Sequence, residues 1–468
     1  MNTTFDIIVI GSGPGGYAAA IRASQLGYNT AIVEKYSALG GTCTNVGCIP
    51  SKALLDSTEH YYTAKHKFAN HGIAIHSMEL NFGQLMKRKQ EVVKQNVSGL
   101  NFLMKKNKIT VIEGKASFIN NKSIRVHTKS GEEKQYNSSY FIIATGSKPV
   151  SLPGINIDKN RIITSTEALS LTEKPASMII IGGGVIGVEM ASVFSRVGTQ
   201  TSIIEYADSL IPAMDKELGR ELKKILSKQG IDIMLNHKLQ AVTNMGDHVH
   251  VSYIDKDGSV IEREADYCLI TVGRKAYTKG LDLEYTKIAL NEKGQIQTNE
   301  FLQTAEENIY AIGDVIQGPM LAHKAEEEAI FAAEHIHGQK PHIHYELIPG
   351  VVYTWPEVAS VGKSEEQLKS DNIPYRIGKF PFIASGRARA AMEADGFVKV
   401  LTGTKYGEVL GVHIIGPRAA DLIAQAVLGM HYETTDEDMF RMPYAHPTYS
   451  EALKESFLVA SGQGAINL

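Results

Sequence analysis

The sequence of 468 residues predicts an α/β protein of about three domains, because an average domain takes up roughly 150 residues. Two observations give the fold class. A short apolar run, a glycine-rich turn and a helix-like segment follow one another at residues 7–23, and the same order returns at residues 178–197. From residue 346 onward, alternating apolar and polar residues are followed by helical segments, which predicts a third domain of mixed α and β structure.

Composition excludes several classes of protein. Lys and Arg number 48 and Asp and Glu number 51, so the net charge of −3 does not attract nucleic acid or anionic lipid. The longest apolar run, residues 178–188, is shorter than the ~20 residues that span a bilayer. We therefore expect no nucleic-acid partner and no membrane partner. Only three cysteines are present and the first residues do not resemble a secretory signal, which together predict a cytoplasmic protein.

The first glycine-rich turn has the context of a dinucleotide site. Ile7–Ile10 predicts a strand, and the turn GSGPGG that follows it leads into a predicted helix. In such a turn Gly11 permits the tight bend, Gly13 lets backbone N–H groups approach a pyrophosphate, and Gly16 lets helix and strand pack closely. Glu34 ends the next predicted strand, 34 − 11 = 23 residues after the first glycine, near the ~20 expected for a ribose-binding carboxylate.

The second turn repeats this pattern. Gly182, Gly184 and Gly187 lie in GGGVIG after the apolar run 178–181, and Glu205 follows at the same offset, 205 − 182 = 23. Two dinucleotide sites in one chain predict electron transfer between two cofactors. A carboxylate here repels a 2′-phosphate and residues 206–209 contain no basic group, which favours NAD over NADP. The alternative, a merely solvated strand end at Glu205, stays open.

Two of the three cysteines, Cys43 and Cys48, lie in the segment GGTCTNVGCIPSK directly after the first ribose acid. A zinc site needs further ligands nearby, but the nearest histidine in sequence is His60 and Cys268 is far away, so we expect no metal. A cysteine pair beside a dinucleotide turn in a reducing compartment indicates a catalytic, redox-active disulfide. Cys268 is interpreted as a buried strand residue.

The string GGTCTNVGCIPSKALL and the two glycine turns strongly resemble the pyridine nucleotide-disulfide oxidoreductases, and the resemblance runs essentially end to end. Four further strings are similar to the members that oxidise dihydrolipoyl groups: AIGD at 311–314, MLAHKAE at 320–326, YTWPEVA at 353–359 and AHPTYSE at 445–451. The resemblance implies two Rossmann-like dinucleotide-binding domains, the first for FAD and the second for NAD, and a C-terminal interface domain of a homodimer. It also implies docking to lipoyl domains and to the acyltransferase core of a 2-oxoacid dehydrogenase or glycine cleavage complex.

Catalytic roles follow from the same resemblance. It implies that Cys43 and Cys48 form the redox disulfide, that a substrate thiolate attacks Cys43, and that Cys48 is the thiolate against the flavin. It implies that His446 is the general base for the substrate thiols and acts on the disulfide of the partner subunit. Glu451 follows five residues later, close enough to orient the imidazole and to stabilise its charged form.

Cofactor contacts are assigned in the same way. The resemblance implies that Lys52 lies by the flavin and pairs with Glu189, that Asp314 contacts the ribityl chain, and that Ala116 and Ala322 approach FAD through backbone. The residues expected to bind FAD are Gly11, Gly13, Gly16, Glu34, Lys52, Ala116, Thr145, Gly146, Asp314 and Ala322. Those expected to bind NAD are Gly182, Gly184, Gly187, Glu189, Glu205 and Gly273.

The chain divides into four predicted segments. Residues 1–148 form the first part of the FAD-binding domain, 149–274 the inserted NAD-binding domain, 275–345 the return of the FAD-binding or central domain, and 346–468 the interface domain. Within the third segment, Glu326-Glu327-Glu328 is predicted to be a solvated helix face.

Two alternatives are another disulfide reductase of the same family and a non-catalytic subunit of a complex. Mercuric reductases and high-molecular-weight thioredoxin reductases would carry a cysteine pair near the C-terminus, where this chain reads SGQGAINL, and a glutathione reductase would need arginines after Glu205. Retention of both cysteines and of the His446 and Glu451 strings argues against lost catalysis. Thr44, Tyr444 and Tyr449 depart from the family pattern of leucine, histidine and leucine, which concerns substrate fit or potential rather than reaction type.

Overall fold

The computed structural model of the protein describes residues 3–468. Its helices are α1 Pro14–Gln25, α2 Gly41–Val46, α3 Cys48–His66, α4 Phe82–Lys106, α5 Ser165–Ala168, α6 Val185–Arg196, α7 Lys216–Lys228, α8 Ala322–Ile336, α9 Glu365–Ser370, α10 Gly386–Ala390, α11 Ala419–His431, α12 Asp436–Arg441 and α13 Glu451–Ala460. Its strands are β1 Thr4–Ile10, β2 Thr30–Glu34, β3 Thr110–Glu113, β4 Lys115–Asn120, β5 Ser123–His127, β6 Glu133–Ile143, β7 Ser147–Pro149, β8 Ile162–Ile163, β9 Ser177–Ile181, β10 Gln200–Glu205, β11 Asp232–Leu235, β12 Lys238–Asn244, β13 Val249–Ile254, β14 Val260–Ala265, β15 Tyr267–Ile270, β16 Arg274–Ala276, β17 Ile309–Ala311, β18 Gly350–Val352, β19 Glu357–Gly362, β20 Tyr375–Pro381, β21 Phe397–Gly403 and β22 Val409–Gly416.

The described residues form two compact units, each assembled from separate segments of the chain. The first unit contains the residues up to Ala53, Gly83–Ser151 and Gly273–Ile343. The second unit contains Leu54–Phe82, Leu152–Val272 and His344–Leu468. The breaks after Ser151, Val272 and Ile343 lie near the predicted limits after residues 148, 274 and 345. Leu54–Phe82, which the sequence placed in the first segment, groups with the second unit instead, and the four-segment division itself stays a prediction.

The first unit is built on a seven-stranded sheet of order β3-β2-β1-β6-β5-β4, with β17 paired to β6. β1 runs parallel to both of its neighbours, β2 and β6. Ile7, Ile8 and Val9 of β1 are completely buried, as expected for a central parallel strand that is covered on both faces. β17 comes from residues 309–311 and pairs in parallel with β6, so the chain returns to this unit after the residues of the second sheet.

The second unit contains two sheets around the repeated pattern. A five-stranded sheet of order β11-β10-β9-β15-β8 has only parallel pairs, and a three-stranded antiparallel sheet, β12-β13-β14, accompanies it. Residues of both sheets share one apolar core. Cys268 lies in that core with no exposed surface, so its interpretation as a buried strand residue is confirmed.

The C-terminal part of the second unit is an antiparallel sheet of order β18-β19-β22-β21-β20. Helices α11 and α13 contribute apolar side chains to the core beneath it. The predicted class, two α/β nucleotide-binding folds followed by a mixed α and β region, is therefore confirmed. No helix among residues 3–468 is long and apolar enough to cross a membrane.

Candidate functional site

The turn after β1 has the backbone geometry that its glycines predicted. Gly11 has φ of +102°, where a side chain is strained, and a Cβ on Gly16 would lie 1.9 Å from the Gly11 carbonyl oxygen. A Cβ on Gly13 would meet no protein atom within 4 Å. Gly13 is also the N-cap of α1, and no side chain caps that helix. The first N–H groups of α1 are thus available to an anion, as a pyrophosphate requires.

Glu34 is fixed at the end of β2, beside this turn. Its carboxylate is 6% exposed and accepts hydrogen bonds from Ser12 N at 3.0 Å, Ser12 Oγ at 2.6 Å and Tyr36 N at 3.0 Å. Three donors compensate the cost of burying this charge. The carboxylate is therefore held beside the first turn, and its role as a ribose-binding acid stays a prediction.

The second turn repeats the first in the other unit. Gly182 has φ of +107°, and a Cβ on Gly187 would lie 1.9 Å from the Gly182 carbonyl oxygen. Gly184 has open space around it and caps α6 without a side-chain hydrogen bond. Glu205 accepts hydrogen bonds from Gly183 N at 2.5 Å and Ala207 N at 2.6 Å. The open interpretation of Glu205 as a merely solvated strand end does not fit these two backbone bonds.

The cysteine segment packs directly on the first turn. Gly40 N donates to Ser12 O at 3.0 Å, and a Cβ on Gly41 would lie 2.7 Å from Gly13 Cα. Cys43 lies in α2, and Cys48 is the first residue of α3. Tertiary packing thus brings the start of the cysteine segment against the glycine turn that the resemblance assigned to FAD.

Both cysteines are free thiols in the structure, Cys43 half-buried and Cys48 exposed. The pKa of Cys43 is raised above its ordinary value, first by a hydrogen bond with Cys48, then by burial, and then by the charges of Cys48 and Glu326. The positive charge of Lys52 lowers the pKa of Cys43 by a smaller amount. Since a thiolate is the reactive form, these surroundings disfavour the thiolate of Cys43 in the reduced pair.

Tyr17 and Glu326 were not predicted as site residues. The Tyr17 hydroxyl donates to Glu326 Oε1 at 2.8 Å. Burial and that hydrogen bond raise the pKa of Tyr17, with smaller contributions from Cys43 and Cys48. A neutral tyrosine and a carboxylate therefore lie in the electrostatic surroundings of the thiols.

The predicted solvated face at residues 326–328 is confirmed for Glu327, which is exposed, but it is wrong for Glu328, and Glu326 is half-buried. Glu328 has no exposed surface, pairs with the buried Lys324 at 2.8 Å and accepts a hydrogen bond from Gly313 N at 2.7 Å. Two opposite charges four residues apart on α8 were the signal in the sequence for such a pair.

Asp314 belongs to a hydrogen-bonded chain in the first unit. Ser147 Oγ donates to Asp314 Oδ2 at 2.5 Å and accepts from Arg274 Nε at 2.7 Å. The pKa of Arg274 is lowered by burial, although Asp314 and Cys48 oppose that shift. Arg274 is a further functional candidate that was not predicted from the sequence. Asp314 does not cap α8, whose N-cap is Leu321.

The remaining residues assigned to FAD also lie in the first unit. Thr145 Oγ1 donates to Tyr277 O at 2.7 Å, and Gly146 has φ of +70° with open space around it. Ala116 is buried in β4, and Ala322 is the first residue of α8. Lys52 lies in α3 four residues after Cys48.

The residues assigned to NAD lie in the second unit except for Gly273, which begins the last segment of the first. Gly273 has φ of +112° and open space around it. Glu189 is 3% exposed on α6 and accepts a hydrogen bond from Tyr353 N at 3.0 Å. The predicted pair of Lys52 with Glu189 stays a prediction.

His446 and Glu451 form a hydrogen-bonded pair in the second unit. His446 Nδ1 lies 2.8 Å from Glu451 Oε1, and Glu451 Oε2 accepts from Thr448 N at 2.8 Å. Burial alone would raise the pKa of Glu451, but the bonds from Thr448 and His446 outweigh it and lower the pKa. Glu451 is therefore ionised at neutral pH and can hold one imidazole tautomer, with Nε2 directed elsewhere. Ser450 is the N-cap of α13, but its side chain makes no capping hydrogen bond.

The three departures from the family pattern are all packed. Thr44 is 6% exposed. Tyr444 donates to Met439 O at 3.1 Å, and burial raises its pKa to about 12. Tyr449 donates to Glu393 Oε2 at 2.5 Å.

No group of three or more His, Cys, Asp or Glu side chains suited to a metal ion occurs in the part of the chain that the structure describes.

Comparison with known proteins places these features in a family. Residues 5–329 match the pyridine nucleotide-disulphide oxidoreductase family, and residues 348–457 match its dimerisation domain. The chain is 47% identical over 452 residues to mitochondrial dihydrolipoyl dehydrogenase 2 of Arabidopsis thaliana, covering 96% of this chain and 89% of that protein. It is 45% identical over 454 residues to mitochondrial dihydrolipoyl dehydrogenase of Pisum sativum, covering 96% and 90%.

A solved structure is also similar along almost its whole length. The Cu(II) complex of the HOCl-induced flavoprotein disulfide reductase RclA from Escherichia coli superposes with a TM-score of 0.88 at 28% identity. The similarity covers 98% of this chain and 100% of that one.

Proposed function

The chain belongs to the pyridine nucleotide-disulphide oxidoreductase family, and from that premise we propose that it oxidises protein-bound dihydrolipoyl groups to lipoyl groups and reduces NAD⁺ to NADH. The enzyme is an NAD-dependent flavoprotein that uses FAD and NAD. The observation that carries the proposal is the cysteine pair packed on one of two matching glycine turns. The alternatives, another disulfide reductase or a non-catalytic subunit, are not favoured by the relatives.

The two turns fit the two cofactors. Open space at Gly13 and Gly184 and uncapped N-termini of α1 and α6 suit two pyrophosphates, while Glu34 and Glu205 suit two riboses. When bound, FAD moves two electrons between a dithiol and a nicotinamide, and NAD⁺ accepts them as hydride. We assign FAD to Gly11, Gly13, Gly16, Glu34, Lys52, Ala116, Thr145, Gly146, Asp314 and Ala322, and NAD to Gly182, Gly184, Gly187, Glu189, Glu205 and Gly273.

The chain's own residues carry the thiol chemistry. His446 accepts a proton from one dihydrolipoyl thiol, and Glu451 stabilises the imidazolium that forms. The resulting thiolate attacks Sγ of Cys43, which breaks the Cys43–Cys48 bond and releases Cys48 as a thiolate. The second substrate thiol gives its proton to the departing Cys43 sulfur while its own sulfur attacks the substrate sulfur of this mixed disulfide and closes the lipoyl ring. The substrate is oxidised by two electrons, and the enzyme disulfide is reduced to the Cys43 thiol and the Cys48 thiolate, with the first proton on His446.

A substrate comparison tests this function. The purified holoenzyme is assayed with dihydrolipoamide and NAD⁺, and separately with glutathione disulfide and NADPH. We expect rapid NADH formation in the first assay and negligible NADPH oxidation in the second. The reverse result would overturn the assignment and favour another disulfide reductase. Activity in neither assay, with FAD fully bound, would favour the non-catalytic alternative.

The assignment of His446 has its own experiment. We expect His446→Gln to slow flavin reduction by dihydrolipoamide by orders of magnitude, while NADH still reduces the flavin at the normal rate. His431→Gln serves as the matched control, because His431 lies on α11 and no role in the reaction is assigned to it. Equal losses in both half-reactions of His446→Gln would contradict the role as thiol base.

Residues 348–457 match the family's dimerisation domain, so the chain contains the domain through which members of the family form dimers. We further propose a homodimer that docks lipoyl domains and the acyltransferase core of a 2-oxoacid dehydrogenase or glycine cleavage complex. Size-exclusion chromatography with light scattering should give twice the chain mass of 51.1 kDa. A monomer with full lipoamide activity would refute the dimer.

We also propose a cytoplasmic location, since three cysteines in 468 residues, two of them a working redox pair, suit a reducing compartment. The names of the two plant relatives include the word mitochondrial, so the two compartments are distinct outcomes of one experiment. Cell fractionation followed by detection of the chain decides between them.

A further inference from the structure

The loop between β10 and α7, residues 206–215, lies against the second glycine turn. Ile211 N donates to Gly183 O at 2.9 Å, and a Cβ on Gly183 would lie 2.6 Å from Leu210 Cδ2. The loop begins directly after Glu205, the acid assigned to the NAD ribose. The loop therefore borders the space that the adenosine half of NAD would occupy.

This loop is held in a conformation that its own sequence does not favour. Ile211 has φ of +44°, a left-handed backbone conformation that is unfavourable for a β-branched residue. Ile211 is also buried, with 3% of its surface exposed. Such a residue keeps its geometry only when the surrounding structure fixes both ends of the loop.

The far end of the loop is fixed by Asp215, which is buried. Asp215 Oδ1 accepts from Glu217 N at 3.0 Å and so caps α7, and Oδ2 accepts from Glu365 N at 3.1 Å. A Cβ on Gly219 would lie 2.2 Å from Ser209 Oγ, so α7 and the loop pack without free space between them. A shift of Asp215 would therefore move the loop.

A single buried cation holds that aspartate. Lys399 lies on β21 of the C-terminal sheet, and its side chain is 1% exposed. Its Nζ lies 3.0 Å from Asp215 Oδ2, 2.7 Å from Glu365 Oε2 and 3.3 Å from Glu217 Oε2. The lysine thus joins the end of the loop to the start of α9 and to the dimerisation region.

His413 on β22 is the other basic group facing Asp215, and it does not replace the lysine. It is 1% exposed, and its Nε2 lies 3.1 Å from Lys363 O. Burial lowers the pKa of His413, so it is neutral at neutral pH. Lys399 is accordingly the buried positive charge on which Asp215 depends.

We propose that Lys399 is a positioning residue for the nicotinamide cofactor, which acts through Asp215 to hold loop 206–215 in the shape that accepts the adenosine half of NAD. The inference rests on the proposed function, because it takes the second turn as the NAD site. It assigns a role in cofactor binding to a residue of the dimerisation region that touches neither the glycine turn nor Glu205.

The experiment measures cofactor binding in the FAD-loaded enzyme. ADP-ribose is titrated by calorimetry as a probe of the adenosine half, and KM for NAD⁺ and kcat are measured with dihydrolipoamide. For Lys399→Met we expect the Kd of ADP-ribose and the KM for NAD⁺ to rise at least fivefold, with kcat and flavin content within twofold of the wild type. Lys399→Arg keeps the charge and should restore most of the affinity.

Lys379→Met is the matched control, because Lys379 is partly exposed and contacts Glu217 but not Asp215. Asp215→Asn is the second variant, since asparagine can still cap α7 but lacks the negative charge that attracts Lys399. If Lys399→Met does not fold, the ADP-ribose affinity of Asp215→Asn tests the proposal instead. Unchanged ADP-ribose affinity in the folded variant would overturn the inference. Failure of the wild-type enzyme to bind ADP-ribose or to reduce NAD⁺ would instead overturn the proposed function.

Discussion

Glu451→Gln tests the proposed base most directly, because it changes the charge beside His446 and little else. Glu451 Oε1 lies 2.8 Å from His446 Nδ1, and Oε2 accepts from Thr448 N. Glutamine still offers one acceptor of similar size, so the turn should keep its shape. What the substitution removes is the negative charge that stabilises the imidazolium after proton transfer.

The expected magnitude follows from the difference between two hydrogen bonds. A bond to a charged partner contributes about 1.5–3 kcal/mol and a neutral bond about 0.5–1.5 kcal/mol, so the charge contributes about 1–1.5 kcal/mol. The His446 side chain is 79% exposed, so solvent screens the pair and the lower value applies. This corresponds to roughly a fivefold slower reaction of the disulfide with dihydrolipoamide. Glu451→Ala also removes the acceptor for Thr448 N, and we expect a loss of about tenfold or more.

Rapid mixing of oxidised enzyme with dihydrolipoamide measures this step, and reduction of the same enzyme by NADH is the internal control. The control rate should stay within twofold of wild type in both variants. A wild-type rate for Glu451→Ala with dihydrolipoamide would refute the role of Glu451. Equal slowing of both half-reactions would show that the substitution disturbs the fold rather than the base.

Cys43→Ser and Cys48→Ser should each abolish dihydrolipoamide turnover while FAD stays bound, as judged by the flavin spectrum, and normal turnover in either variant would exclude the disulfide mechanism. Gly187→Ala should destabilise the fold by several kcal/mol, seen in urea unfolding, because its Cβ would lie 1.9 Å from a carbonyl oxygen. Gly184→Ala should fold normally but raise KM for NAD⁺, since its Cβ would point into open space; similar stability of both variants would contradict this geometry. The pKa of Glu365 is lowered from 4.5 to about 2, because bonds from lysine side chains outweigh its burial. A depressed pKa stabilises the folded protein above about pH 4.5, so this stability should decline between pH 4.5 and 2; Glu365→Gln should show a smaller decline in acid unfolding followed by circular dichroism.

Local features were readable from the sequence because their partners lie close along the chain. The two glycine turns need only a strand, a bend and a helix, and the contact between Gly16 and Gly11 follows from that order alone. The bond between His446 and Glu451 spans five residues, which also made it predictable.

Interactions between distant segments were not readable. The triplet of glutamates on α8 looked like a solvated face, yet Glu328 is buried, paired with Lys324 and bonded to the N–H of Gly313, which lies 15 residues earlier in the chain. Ser147, Asp314 and Arg274 come from three separate strings, and no periodicity relates them before the chain folds.

The sequence alone thus determined the class of fold and the conformation of the two glycine turns, since glycine conformations and residue spacing are properties of the local backbone. It also predicted the two ribose acids and the redox pair. Only the tertiary structure decided which charges are buried. Lys399 bonds to Asp215 across 184 residues, and a lysine in a strand looks the same in sequence whether it faces water or three carboxylates. The cost of burying a charge is compensated only by partners that folding brings to it, so such pairs exist in space and not in the sequence.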